Sequence, residues 1–301
     1  MPRVFLTVIA PILFAAGVGY VLARLRLIED ARPLSRVATY ALLPALAFSA
    51  LARSELSGAH ILALAVCAWL VAALQSILGW MLSRSLALDS VTTGAFLLSV
   101  VTVNAGNYGI PVNQFAFGSE TVGMATVYYI ATLLVTYGGS VLVGLPPGKA
   151  FRAVGGRLLR VPILYAACAG LALRQSHLVV PDEVWRPVNL MGAGAVPVML
   201  LLLGIELARS RLGEQRAALP WVFALRLVIA PLVALGVAWA MGFEGAARKV
   251  AVHQSSMPTA VGAALVAVEL NLRPAFVSGA VLVTTLGSAV TLTLLLLLLA
   301  G

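Results

Sequence analysis

The stretch Val103–Asn113, VNAGNYGIPVN, decides how this chain is read. It lies inside an apolar run from about Thr92 to Ala116, yet brings Asn104, Gly106, Asn107, Gly109 and Pro111 close together. Proline lacks an N–H and clashes with the preceding turn, so a helix tends to stop ahead of it. Glycine tolerates non-helical angles, and Pro111 can open a fresh half-helix where its missing N–H costs little. Lipid offers no water to unpaired backbone groups, so such a break must be buried in protein or line a wet cavity. A second stretch of this kind is His253–Gly262, HQSSMPTAVG, with Gln254, Ser255, Ser256 and Thr259 around Pro258. The two together predict interrupted membrane helices facing one another around a substrate site.

Composition supports a membrane setting. The chain has 301 residues, 61% hydrophobic and 10% charged, where a soluble domain carries about 25% charged residues. A mean hydropathy of +1.02 and long, unalternating apolar runs predict an all-α polytopic membrane protein rather than a barrel. The formal net charge of +9 comes from basic residues at helix ends, where they set topology; nucleic acid is not expected as a partner. Cys67 and Cys168 have no metal-ligand spacing and read as small buried side chains. The N-terminus reads as a retained first span rather than a signal peptide.

Ten spans are predicted, near Val4–Ala23, Val37–Leu51, Ala59–Leu82, Thr92–Phe117, Val122–Val143, Leu158–Leu173, Val188–Leu207, Leu219–Met241, Val250–Val268 and Ala275–Leu299. The second is short unless Pro33 to Arg36 join it. Residues 1–144 form a first five-helix repeat, 145–157 a basic cytoplasmic link, and 158–301 a second repeat. Five spans per half forces the halves to insert in opposite senses. The spacing of Pro11 and Pro162, Pro44 and Pro197, and Pro111 and Pro258 is nearly constant, as duplication predicts. Thirteen Lys and Arg fall on the side of the first link and six on the other, which puts both termini on the outer face.

An interrupted helix exposes unpaired carbonyls at one end and N–H groups at a positive dipole end, which suits an anion. Asn104, Asn107, Gln254, Ser255, Ser256 and Thr259 add amides and hydroxyls beside the two prolines. His253 is a helix-packing partner or a proton carrier. Arg226, inside the eighth span, is expected to snorkel to the cytoplasmic face; the sharper alternative is a charge partner for an anionic substrate. Glu206 is interfacial or pairs with Arg226. There is no acidic pair within a span, no nucleotide-binding loop and no His/Cys cluster, so no enzyme, cofactor or metal site is expected.

The Asn-x-Gly-Asn-x-Gly-x-Pro spacing at Asn104–Pro111 resembles the fourth-helix motif of the auxin efflux carrier family, within the bile/arsenite/riboflavin transporter superfamily. SSMPTA at Ser255–Ala260 is similar to that family's ninth-helix crossover, and LLPALAFSAL around Pro44 also fits. The resemblance implies two inverted five-helix repeats, with helices 4 and 9 broken and crossing, and elevator-type alternating access. It implies a small organic anion as substrate: auxin in plants, malate, malonate or related carboxylates in bacteria. The long central loop of the plant carriers is missing, and the composition suits a bacterial inner-membrane protein. By similarity Asn104, Asn107, Pro111 and Pro258 carry over to the crossover; Gln254, Ser255, Ser256 and Thr259 are added on chemical grounds. No acidic residue neighbours either break, so H+ coupling through His253 or downhill efflux is expected ahead of Na+ coupling. A sodium-coupled symporter of the bile-acid type and a transporter-fold metabolite sensor are the alternatives, and a homodimer is left open.

Overall fold

The computed structural model describes residues 5–142, 156, 160–176, 178–213 and 216–300. Most of the link predicted at 145–157, with Lys149, Arg152 and Arg157, lies outside them. The described residues are helical apart from turns and one isolated β-bridge. Six helices are long and apolar enough to cross a membrane. They are α1 (Phe5–Arg24), α2 (Arg32–Ala52), α3 (Gly58–Ser85), α8 (Asp182–Arg209), α9 (Arg216–Ala240) and α12, whose apolar span is Pro274–Leu299. Between them lie α4 (Ser90–Val101), α5 (105–117), α6 (Val122–Leu142), α7 (Pro162–Ser176), α10 (Gly245–Ser255) and α11 (Gly262–Glu269).

The short second span is corrected: Pro33 to Arg36 belong to it, because Pro33 sits in its first turn, where proline is tolerated. The seventh begins earlier than Val188, with Asp182 and Glu183 in its first turn, where carboxylates suit the positive helix end. Of the two cysteines expected to be buried, Cys67 is, and Cys168 is exposed instead.

Several prolines inside apolar runs leave their helices intact. Wide turns at Phe5–Ile9, Ala38–Leu42, Ala105–Gly109 and Ala224–Ile229 precede Pro11, Pro44, Pro111 and Pro231. Leu43, Ile110 and Ala230, each just ahead of a proline, donate five residues back, to Ala38, Ala105 and Leu225. One extra residue is thus taken into the turn ahead of the ring, as at other π-type bulges.

Glycine sets how closely the helices approach. A Cβ on Gly204 would overlap the Ala16 carbonyl oxygen, and one on Gly19 the Leu201 carbonyl oxygen, so α1 and α8 meet backbone to backbone. The α7–α2 contact repeats this, with a Cβ on Gly170 only 2.7 Å from the Phe48 oxygen. Helices α1, α2, α7 and α8 therefore form one closely packed layer, and α8 also packs on α2. Elsewhere, α4, α9, α11 and α12 enclose an apolar cluster around Phe96, Val222, Phe276 and Ala280. The start of α4 is fastened to that of α12. Asp89 caps α4 by accepting from the Thr92 N–H at 2.9 Å and its hydroxyl at 2.6 Å, and Arg273 reaches Asp89 Oδ2 at 3.2 Å.

Gly204→Ala should lower the thermal midpoint by an amount equivalent to roughly 1–3 kcal/mol, the usual cost of overpacking. Gly236→Ala, where a Cβ meets open space, should leave it unchanged or raise it. The Thr92 hydrogen bonds, aided by Arg273, hold the Asp89 carboxyl at about 2, below its ordinary 3.8. A depressed carboxylate contributes stability above its unfolded pKa and loses it as pH falls through the folded one. The midpoint gap between the wild type and Asp89→Asn should therefore be constant above about pH 5 and shrink towards pH 2. A gap independent of pH would show that the charge on Asp89 contributes nothing.

Candidate functional site

The two sequence stretches meet. Helix α4 ends at Val101, Thr102 to Asn104 are extended or irregular, and α5 starts at Ala105. Helix α10 ends at Ser255, and α11 starts at Gly262. Val103 and Thr259 form an antiparallel bridge. Asn104 N donates to Pro258 O at 2.8 Å, and Ala260 N donates to Thr102 O at 3.0 Å.

The carbonyl ends are filled by protein donors. Thr102 Oγ1 donates to Leu98 O at 2.6 Å, Thr259 Oγ1 to Ser99 O at 2.8 Å, and Arg226 Nη1 to Val100 O at 2.7 Å. On the α10 side, Ser256 Oγ donates to Val252 O at 2.6 Å, Arg226 Nε to Met257 O at 3.0 Å, and Arg226 Nη2 to Ser255 O. Arg226 is 2% exposed. The snorkelling expectation is therefore wrong. The wide turn Ala224–Ile229 carries the guanidinium inward, onto carbonyls that lipid cannot solvate. Its donors are spent on those carbonyls, and among the described residues it pairs with neither Glu206 nor another carboxylate.

The N-terminal ends are open instead. The first bond of α5 runs from Gly109 N to Asn104 O, which leaves the N–H groups ahead of Gly109 without partners inside the helix. Gly106 and Asn107 among them border a cavity of about 240 Å³, lined also by Val103, Asn104 and, at and just ahead of the start of α11, Ala260 to Ala263. The rest of the wall is Ser35 and Thr39 of α2, Tyr129, Thr132 and Thr136 of α6, and apolar side chains. Among the described residues, no charged side chain lines it. Asn104 is 4% exposed, and its amide nitrogen has no hydrogen-bond partner. Two positive helix ends and a free buried amide donor make a neutral but electropositive recess.

The motif glycines act by leaving room. Gly106 and Gly109 lie within a helical turn, and Gly109 has φ −66 and ψ −45. A Cβ on Gly106 would sit 2.7 Å from the Tyr129 ring, and one on Gly109 would overlap Gln254 Oε1. The expectation that they supply non-helical angles is corrected accordingly.

Of the predicted site residues, the structure brings Asn104 and Asn107 to the cavity. Pro111 is buried in α5, just after its wide first turn. Pro258 supplies a carbonyl to the bridge. Ser255 Oγ donates to Ala251 O at 2.7 Å and contacts Tyr128 OH at 2.5 Å. Ser256 and Thr259 serve the backbone as above, and Gln254 Nε2 donates to Ala125 O at 3.1 Å. His253 is 0% exposed, edge-on to Phe117 with ring centroids 5.3 Å apart, and neither ring nitrogen has a partner. It does not line the cavity. Sequence reading missed Thr39 and the face Tyr129, Thr132, Thr136. Their i, i+3, i+7 spacing was the available signal.

A second, wider cleft of about 760 Å³ lies beyond the other end of α5, lined by Arg53, Glu55, His60, Gln114, Glu120 and Asn189 among others. Ile110, Pro111, Val112 and Asn113, all buried, separate it from the cavity. Asn107 and Gln114 are two turns apart, so this barrier is about 10 Å thick at 1.5 Å per residue.

Apolar helices of spanning length around a small polar recess, with clefts at both ends of one short helix, define a polytopic membrane transport protein. The chain belongs to the membrane transport protein family, the auxin efflux carrier-like group, whose model matches residues 4–146 and 147–296. It is 31% identical over 281 residues to an uncharacterized transporter of Methanothermobacter thermautotrophicus, covering 92% of each chain. It is 22% identical over 275 residues to an uncharacterized transporter of Methanocaldococcus jannaschii, covering 88% of this chain and 89% of that one.

Cysteine labelling checks which side chains face the recess. In a Cys168→Ser background, Thr39→Cys and Thr136→Cys should react with a water-soluble maleimide, and Ser256→Cys should not. Equal labelling of all three would show that the α10 hydroxyl face also reaches water.

Proposed function

We propose that this protein is a secondary transporter that moves a small organic anion, such as a carboxylate, by alternating access. The observation that carries this reading is the division of helix ends at the interruptions. The carbonyl ends are closed by Arg226, Thr102, Ser256 and Thr259, while the N-terminal ends of α5 and α11 face the recess beside the free Asn104 amide. Partial positive charge without a cationic side chain favours an anion and lets it leave again. The recess is below the roughly 300–1,000 Å³ of sites for drug-sized ligands, which favours a mono- or dicarboxylate of a few carbons.

The architecture we infer is ten spans in two inverted repeats, 1–144 and 158–301, with α4/α5 and α10/α11 as crossed, broken fourth and ninth spans. Three observations support it. The α1–α8 contact has α7–α2 as its image under a 1-to-6, 2-to-7 correspondence. The backbone bridge is reciprocal between Thr102–Asn104 and Pro258–Ala260. The paired prolines keep a near-constant offset. With basic residues inside, both termini face outward, and the recess, beside Ser35, Thr39 and Thr136, opens to the cytoplasm of a bacterial or archaeal cell. An elevator-type displacement past α1, α2, α7 and α8 would present it to the outer cleft. His253 remains the candidate for proton coupling, and Asn107 for direct substrate contact.

Proteoliposome uptake across a panel of mono- and dicarboxylates, with and without a pH gradient, tests the reading. At least one carboxylate should accumulate, and Asn104→Ala and Asn107→Ala should each cut its flux tenfold or more. Flux unchanged in both variants would remove the recess as the substrate site, and binding without flux would favour a metabolite sensor.

A further inference from the structure

The feature the transport reading leaves unused is the charge of Arg226. Its guanidinium is fully enclosed and makes no ion pair among the described residues. An unpaired buried charge is costly, so something else must balance it. The three acceptors are Val100 O in the last turn of α4, Ser255 O at the end of α10, and Met257 O just beyond. Two helix C-termini thus converge on one cation. Each carries about half a negative charge, so the pair supplies about one elementary charge of opposite sign. The balance is between one guanidinium and two helix ends.

Convergent carbonyl oxygens at the ends of half-helices are also the ligand chemistry of a free monovalent alkali cation within a membrane. Such an ion would supply the same charge to the same oxygens. We propose that Arg226 is a tethered cation filling a carbonyl site between the ends of α4 and α10, a site that binds a free monovalent cation when the side chain is removed. The protein then keeps its crossing intact without a dissociable ion, and its resting state does not depend on external Na+. The site is separate from the recess: it gathers carbonyl ends, whereas the recess gathers N–H ends. The inference goes beyond the transport reading and does not require the substrate to be an anion.

The test reads stability, so its failure is distinguishable from a failure of the transport assignment. Thermal midpoints of the purified protein in detergent are compared in NaCl, KCl, choline chloride and methylguanidinium chloride at matched ionic strength. The wild type should be indifferent to the cation. Arg226→Ala should be less stable in choline and recover several degrees, saturably, in Na+, K+ or methylguanidinium. Arg226→Lys, which keeps a charge on a tether, should be as indifferent as the wild type. Saturable Na+ stabilisation of the wild type or of the Lys variant overturns the proposal. So does an Ala variant that responds to none of the cations or cannot be recovered folded in any of them.

Discussion

Two interruptions in apolar helices leave a set of carbonyls and N–H groups that lipid cannot solvate, and most of the central architecture follows from placing them. Local bonds satisfy only part of each interruption. Asn104 N is paired by Pro258, and Ala260 N by Thr102, so each break completes the other. Side chains finish the carbonyl ends: Thr102 and Ser256 locally, Thr259 and Arg226 from elsewhere in the chain. That use of Ser and Thr, bonding a carbonyl four residues back, is common where a helix bends or ends. It explains why hydroxyls cluster beside Pro258 without pointing at the recess.

Once the carbonyl ends are filled, the chemistry where the two interruptions meet becomes asymmetric. A guanidinium with about one opposing dipole charge around it is electrically quiet. The N-terminal ends of α5 and α11 have no such counterpart, and they are the ones that line the recess. The positive character of the recess therefore comes from backbone, held by two helices, with the buried Asn104 amide of its lining left free. A site made this way needs no lysine or arginine in contact with ligand, which suits a carrier that must release what it binds.

Much of this was legible in the sequence, and the rest failed for identifiable reasons. VNAGNYGIPVN and HQSSMPTAVG marked the interruptions because four amides, two prolines and several hydroxyls have no place on a lipid-facing helix. Charge at the helix ends and hydropathy located the long helices. The role of Gly106 and Gly109 was misread because glycine serves both unusual angles and close approach; only the neighbouring Tyr129 ring and Gln254 amide decide between them. Arg226 was misread because snorkelling depends on which way a side chain leaves its helix, and one wide turn at Ala224–Ile229 changes that. Thr132 and Thr136 were overlooked because threonine is ordinary in an apolar helix unless the face it shares is counted.

The same accounting bears on how such a protein could move. Pulling the two interruptions apart would strip partners from Asn104 N, Ala260 N, Thr259 Oγ1 and the guanidinium of Arg226 at once. Each buried group left unpaired costs about 1–3 kcal/mol, and a charged one more, so the joined interruptions resist separation far more strongly than an apolar contact resists sliding. Helices α1, α2, α7 and α8 are locked to one another at Gly19, Gly204 and Gly170, where backbones touch. Between that layer and α5 the contact includes side chain against side chain, as at Tyr108, Val112, Leu200 and Leu203. On the transport reading, access alternates most cheaply if the crossing travels as one body along that surface. The buried turns Ile110–Asn113 would then remain shut throughout, and the recess would change sides by displacement rather than by opening at its floor.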